Sequence, residues 1–209
     1  MKSVISAARY HGVVQEGCHH MSPGLSDSEY AVLRHTIASR GTTRMVLLPI
    51  AMIAWAVLAL IVLTFAEAPI ASLYPLAVLV GGFEAIHALH VGVERIGRYL
   101  QVYYENLETG PRWENTVMSV GPALPGGGID PLFSVVFAGA TFVNVIPVLA
   151  LQPRATTTEL AVIGALHLLL IVRIVRARGA AARQRAVELE TFRAIRSQTP
   201  TSKPTVPSP

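Results

Sequence analysis

The sequence predicts an all-α polytopic membrane protein with four transmembrane helices arranged as two hairpins. Of its 209 residues, 52% are hydrophobic and 14% are charged, whereas a soluble domain carries about 25% charged residues. Four apolar segments approach the ~20 residues that cross ~30 Å of hydrocarbon. These segments are approximately 45–66, 74–93, 131–151 and 160–175.

The segments around these spans predict the domain organisation. Residues 1–25 lack any periodic pattern and are expected to be flexible, with Met21 as an alternative start. Ser26 or Asp27 can cap an amphipathic cytoplasmic helix over 26–40, and Gly41 is expected to end it. The membrane domain is then 43–178. Residues 179–209 are predicted to form a basic helix followed by a disordered tail rich in Pro, Ser and Thr.

The second span is expected to continue as helix to about residue 107, beyond the membrane. The loop after it, 108–130, contains several prolines and the run Gly126, Gly127 and Gly128, so we expect it to be irregular. The run lacks the lysine and hydroxyl of a phosphate-binding loop. We therefore interpret it as a hinge before the third span.

The basic residues predict the orientation. If the N-terminus is cytoplasmic, all Lys and Arg except Arg154 lie on the inner side or at its boundary. This pattern predicts cytoplasmic N- and C-termini in a bacterial-type plasma (inner) membrane, with the anionic inner leaflet as partner of the arginines. The aromatic residues show no nucleic-acid-binding pattern. The single Cys18 excludes an internal disulfide.

A row of polar side chains along the second span is the main functional feature. A spacing of three or four residues keeps the row within about 120° on a helix. Because an ionisable group in hydrocarbon costs roughly 2.5 to 3.5 kcal/mol, the row should face protein, water or an ion. Its members are Glu84, His87, His90, Glu94, Arg98, Gln101 and Glu105.

Polar residues of the other spans are predicted to lie at overlapping depth. If Arg95 or Arg98 marks the inner boundary, Glu84 lies near mid-membrane, close to the level expected for Thr141, and His167 lies at a depth that overlaps with the histidines of the second span. A four-helix bundle could then gather these residues with His87 and His90 around one polar interior.

Three interpretations of this cluster remain open. The first is a transition-metal site of Glu84, His87, His90, Glu94 and His167, or a haem held by His167 with His87 or His90. The Glu-x-x-His spacing occurs once, however, and no H-E-x-x-H motif is present. The second is a proton or ion path, although the outer half of the membrane lacks a comparable row. No catalytic residue is identified.

The third interpretation is structural, and it is our first choice. The chain would be a small integral membrane subunit that assembles with itself or with other membrane proteins, and Arg95, Arg98, Gln101 and Glu105 would be interaction residues. Histidines would then donate hydrogen bonds between helices. Small residues should allow helices to approach closely. They are Gly81, Ala85, Ala88 and Gly92.

Overall fold

The computed structural model describes residues 25–105, 112–120, 131–151 and 155–198. This part of the chain is helical and contains no strand. Its helices are α1 (Leu25–Phe65), a short 3-10 helix (Pro69–Ser72), α2 (Leu73–Tyr103), α3 (Trp113–Val120), α4 (Pro131–Leu151) and α5 (Thr157–Gln198). The predicted flexible N-terminal segment, glycine-rich run and disordered tail lie outside the described residues.

The all-α membrane fold is confirmed at the level of its helices. Three helices are long and apolar enough to cross a membrane: α1, α2 with the 3-10 turn before it, and α5. The fourth candidate, α4, has a shorter apolar stretch, Phe133–Ile146. The molecule is therefore a helical membrane protein with three to four helices that can span the bilayer.

The predicted break at Gly41 is wrong, because α1 runs through it without interruption. A glycine within a helix costs about 1 kcal/mol relative to alanine, which is less than the cost of nucleating a second helix. The hydroxyls of Thr42 and Thr43 donate to the carbonyls of Ala38 and Ser39 across this point. The expected amphipathic helix and the first span are thus one helix.

The fourth span and the basic segment after it are also one helix, α5. Its first turn is a reciprocal capping box, in which Glu159 accepts the backbone N–H of Thr156 and donates its own to the Thr156 hydroxyl. At 1.5 Å per residue the helix is roughly 60 Å long. It therefore extends well beyond a hydrocarbon layer of ~30 Å.

Two boundaries after α2 differ from the prediction. The helix ends at Tyr103 rather than near residue 107, and the loop expected to be irregular contains α3. Glu105 accounts for the start of α3. Its carboxylate accepts the backbone N–H groups of Glu114 and Asn115 at 2.5 and 2.7 Å, so it satisfies the free donors at the start of α3.

Helix α2 lies at the centre of the fold and contacts α1, α3, α4 and α5. The core is formed by α2, α4 and α5. A Cβ at Gly82 would lie only 2.8 Å from that of Ala51, so this glycine permits the close approach of α1. At Gly92 the missing side chain leaves room only for the guanidinium of Arg40. Gly81, Ala85 and Ala88 are exposed, so they meet no other helix of the described part of the chain.

Candidate functional site

The polar row of α2 forms successive levels of contact with the neighbouring helices. Ion pairs join Glu84 to Arg173, Glu94 to Arg185 and Arg98 to Glu188. Because residue numbers increase together in these pairs, α2 and α5 run in the same direction. The row is therefore a seam between helices along most of its length.

The first level is the ion pair between Glu84 and Arg173. The guanidinium contacts both carboxylate oxygens at 2.8 Å, a bidentate arrangement. Both side chains remain 43% exposed. Phe83 lies beneath the pair, with the Arg173 guanidinium 5.8 Å from its ring centre, and the His87 ring stacks on the same phenyl ring at 5.8 Å.

The second level joins α2 to α1 through His90 and Arg44. A guanidinium nitrogen of Arg44 lies 2.8 Å from His90 Nδ1. Because arginine can only donate, Nδ1 must be the acceptor. Arg44 also lies 4.9 Å from the ring centre of Phe133, and Glu94 lies 3.5 Å from His90 Nε2.

The position of Arg44 on α1 indicates where the inner membrane boundary lies. The apolar part of α1 begins directly after it, at Met45. If that stretch fills the hydrocarbon, the inner boundary lies near Arg44 and His90 rather than at Arg95 or Arg98. Glu84 then lies about 9 Å inside the boundary by helical rise, which is shallower than mid-membrane.

The third level is a network around Arg98, whose side chain is only 1% exposed. Its guanidinium lies 2.7 Å from Glu188 and 3.1 Å from Glu94. Arg95 also donates to Glu188 at 3.0 Å but is 57% exposed. Burial acts to raise the pKa of Glu188, yet hydrogen bonds from Gln184, Arg98 and Arg95 outweigh it and lower this pKa.

The last level connects α2 to α3. Gln101 donates to Asn115 at 2.9 Å, beside the Glu105 carboxylate that caps α3. Arg34 of α1 reaches Glu114 at 2.8 Å. Burial raises the pKa of Glu114, and this effect exceeds the opposing attraction of Arg34. The predicted interaction residues of this end therefore contact other helices of the same chain.

His167 belongs to a separate buried network. Its Nδ1 lies 2.7 Å from the Ile163 carbonyl and must donate, so Nε2 accepts from the Asn144 amide at 3.0 Å. Asn144 also donates to the Ser72 carbonyl and accepts from the Trp55 indole. Both ring nitrogens of His167 are occupied, as expected for a packing residue. A metal or haem iron would have to displace one of these partners.

The predicted cluster is therefore divided rather than gathered. Glu84, His87, His90 and Glu94 share one side of α2, but His167 and Thr141 do not join them. Thr141 instead donates to the Phe137 carbonyl of its own helix. Within the described ranges, no three His, Cys, Asp or Glu side chains are arranged to hold a metal ion. The hypothesis of a metal or haem site gains no support from this geometry.

The partners of the row were not predicted from the sequence. Arg185 and Glu188 belong to the segment predicted as a basic helix, and Arg173 to the end of the fourth span, whereas all three lie directly against α2. The spacing of charged residues in the sequence could have indicated these partners. The charges at positions 173, 185 and 188 of α5 complement those at 84, 94 and 98 of α2, with similar separations.

Comparisons with protein-family models, with curated proteins and with solved structures found no match to this chain.

Proposed function

We propose that this chain is a small integral membrane subunit whose polar α2 face is a helix-contact surface. The inner part of the face joins the helices of one chain. The part around Glu84 contacts a second copy. One observation carries this proposal. The side chains of Glu84 and Arg173, which form a bidentate pair, are each 43% exposed although both residues lie within predicted membrane spans.

Hydrocarbon is a poor environment for this pair. An ionised side chain in the membrane costs roughly 2.5 to 3.5 kcal/mol on insertion scales, and pairing offsets this cost only where hydrogen bonds satisfy the remaining polar atoms. Such groups in membrane proteins almost always face protein or a water-filled cavity. A neighbouring subunit that covers Glu84 and Arg173 would remove them from lipid.

A second copy of the same chain suits this surface. Gly81, Ala85 and Ala88 are exposed beside Glu84, and small residues let membrane helices approach closely. A twofold axis would also place the two Glu84–Arg173 pairs antiparallel, so that each carboxylate faces a guanidinium of the partner. The charges therefore favour self-association.

The proposed topology has both termini in the cytoplasm of a bacterial-type plasma membrane and the spans as two hairpins. The distribution of arginines supports it, because the Arg34, Arg98 and Arg185 contacts all lie at one end of the helices. This end would face the anionic inner leaflet.

The mass of the protein in a mild detergent, measured by light scattering, tests the proposal. We expect the wild type to be a dimer or larger. Ala85→Leu should produce monomers, because a larger side chain holds the two α2 helices apart. Ala56→Leu is the matched control, since Ala56 is exposed on α1, and it should leave the mass unchanged. A monomeric wild type, or no effect of Ala85→Leu, would refute the proposal.

A further inference from the structure

One side of α5 forms a cleft of about 340 Å³ at the level where the helix leaves its apolar segment. The lining residues recur every three or four positions, so they lie along one side of the helix. They are Leu169, Val172, Arg173, Arg176, Ala180 and Arg183.

The depth of this cleft follows from the pairing of α5 with α2. Glu84 lies beside Arg173 and Glu94 beside Arg185. The level of His90, which we place at the inner boundary, therefore corresponds to about Ala180. By helical rise, Arg176 lies about 6 Å on the hydrocarbon side of that level and Arg183 about 4.5 Å on the other side.

The cleft joins an apolar part to a cationic part. Leu169 and Val172 line its deeper end and are exposed large hydrophobic side chains. Arg173 is bound to Glu84, whereas Arg176 and Arg183 are exposed and form no ion pair within the described ranges. Long arginine side chains near a membrane boundary extend toward the headgroups. Two guanidinium groups are thus available on either side of the boundary.

We propose that this cleft binds the headgroup of an acidic phospholipid. The guanidinium groups of Arg176 and Arg183 hold the phosphate between them, and an acyl chain lies against Leu169 and Val172. A lipid fits better than a soluble anion because apolar residues form half of the same cleft. The inference rests on the proposed function only in placing this part of α5 at the inner boundary.

Native mass spectrometry with titrated lipid tests this site. Phosphatidylglycerol is compared with phosphatidylcholine of the same acyl chains and with inorganic phosphate. Replacing a charge-assisted hydrogen bond to the phosphate by a neutral one lowers the affinity about fivefold. Arg176→Gln/Arg183→Gln should therefore bind phosphatidylglycerol about 30-fold more weakly. Arg176→Lys/Arg183→Lys keeps both charges and should retain most of the binding.

The matched control is Arg178→Gln/Arg193→Gln, which removes the same charge. Arg178 is exposed, and two residues of helix place it on the opposite side of α5 from Arg176. Arg193 is also exposed and lies about 20 Å beyond the level of Ala180 by helical rise. This control should bind within about threefold of the wild type, because arginines outside the cleft act on the phosphate only through screened, long-range attraction. Equal weakening in both double variants would overturn the proposal, because it would indicate diffuse attraction.

Equal binding of phosphatidylcholine, or displacement of the lipid by inorganic phosphate at similar concentration, would also overturn it. The readout counts lipids per chain whatever the oligomeric state. A monomeric protein that still binds phosphatidylglycerol selectively would contradict the proposed assembly and leave this site supported.

Discussion

Replacing Arg98 by methionine should destabilise the protein far more than the same replacement at Arg95. Both arginines donate to Glu188 from the same helix. They differ in burial, because the side chain of Arg98 is 1% exposed and that of Arg95 is 57% exposed. Methionine keeps the apolar stem of each side chain, so the comparison isolates the guanidinium.

The expected magnitudes follow from this burial. Removing one partner of a buried ion pair costs about 3 to 5 kcal/mol, because the remaining charge is left without compensation. Glu94 keeps Arg185 and Glu188 keeps Arg95, so we expect a value near 3 kcal/mol for Arg98→Met. An exposed pair contributes about 0 to 1 kcal/mol, which bounds Arg95→Met.

The free energy of unfolding is measured by titrating SDS into mixed micelles and following circular dichroism. A difference of about 2 kcal/mol corresponds to about a 30-fold change in the folding equilibrium. If Arg98→Met costs no more than Arg95→Met, the inner end of α2 is not held by a buried network, and the reasoning from burial is refuted.

Other contacts give three more expectations for the same assay. The pKa of Glu188 is lowered in the folded state, so ionised Glu188 stabilises the fold at pH values above its ordinary pKa of 4.5, and this stabilisation is lost as the pH falls through the folded-state pKa. Glu188→Gln should therefore reduce the loss of stability in acid. An unchanged loss would contradict this. Gly82→Ala should cost about 1 to 3 kcal/mol by overpacking against α1. Gly81→Ala, with nothing within 4 Å, should stabilise the helix by up to about 1 kcal/mol. Equal effects at the two positions would show that the helices are further apart. Asn144→Leu should cost about 1 to 3 kcal/mol and shift the emission of Trp55 to shorter wavelength, since the indole loses its acceptor; unaltered emission would argue against that hydrogen bond.

Local patterns in the sequence predicted the helices and the polar row because both depend on short-range periodicity. The row from Glu84 to Gln101 lies on α2, as its spacing indicated. The third span coincides with α4, Pro131–Leu151. Helix ends were less predictable. Glycine is a common helix terminator, but α1 continues through Gly41 because the cost of one glycine is below that of nucleating a second helix.

The contacts of the row required tertiary register, which the sequence of one helix does not contain. Arg173 was not predicted as a partner of the row, yet it binds Glu84. His167 was expected to overlap in depth with His87 and His90, yet Asn144 holds it in another network. Both differences arise because neighbouring helices are offset along their axes, so equal counts of residues from a boundary do not give equal depth.

Cysteine cross-linking in intact membranes tests most directly whether the face around Glu84 is a contact between subunits. Cys18 is first replaced by serine, and a cysteine is then introduced at Ala85 or, as a control, at Phe142, which is 65% exposed on α4. With a short bifunctional reagent, the Ala85 position should give a covalent dimer and the Phe142 position should remain monomeric. Monomer alone at Ala85, or equal dimer at both positions, would contradict the account.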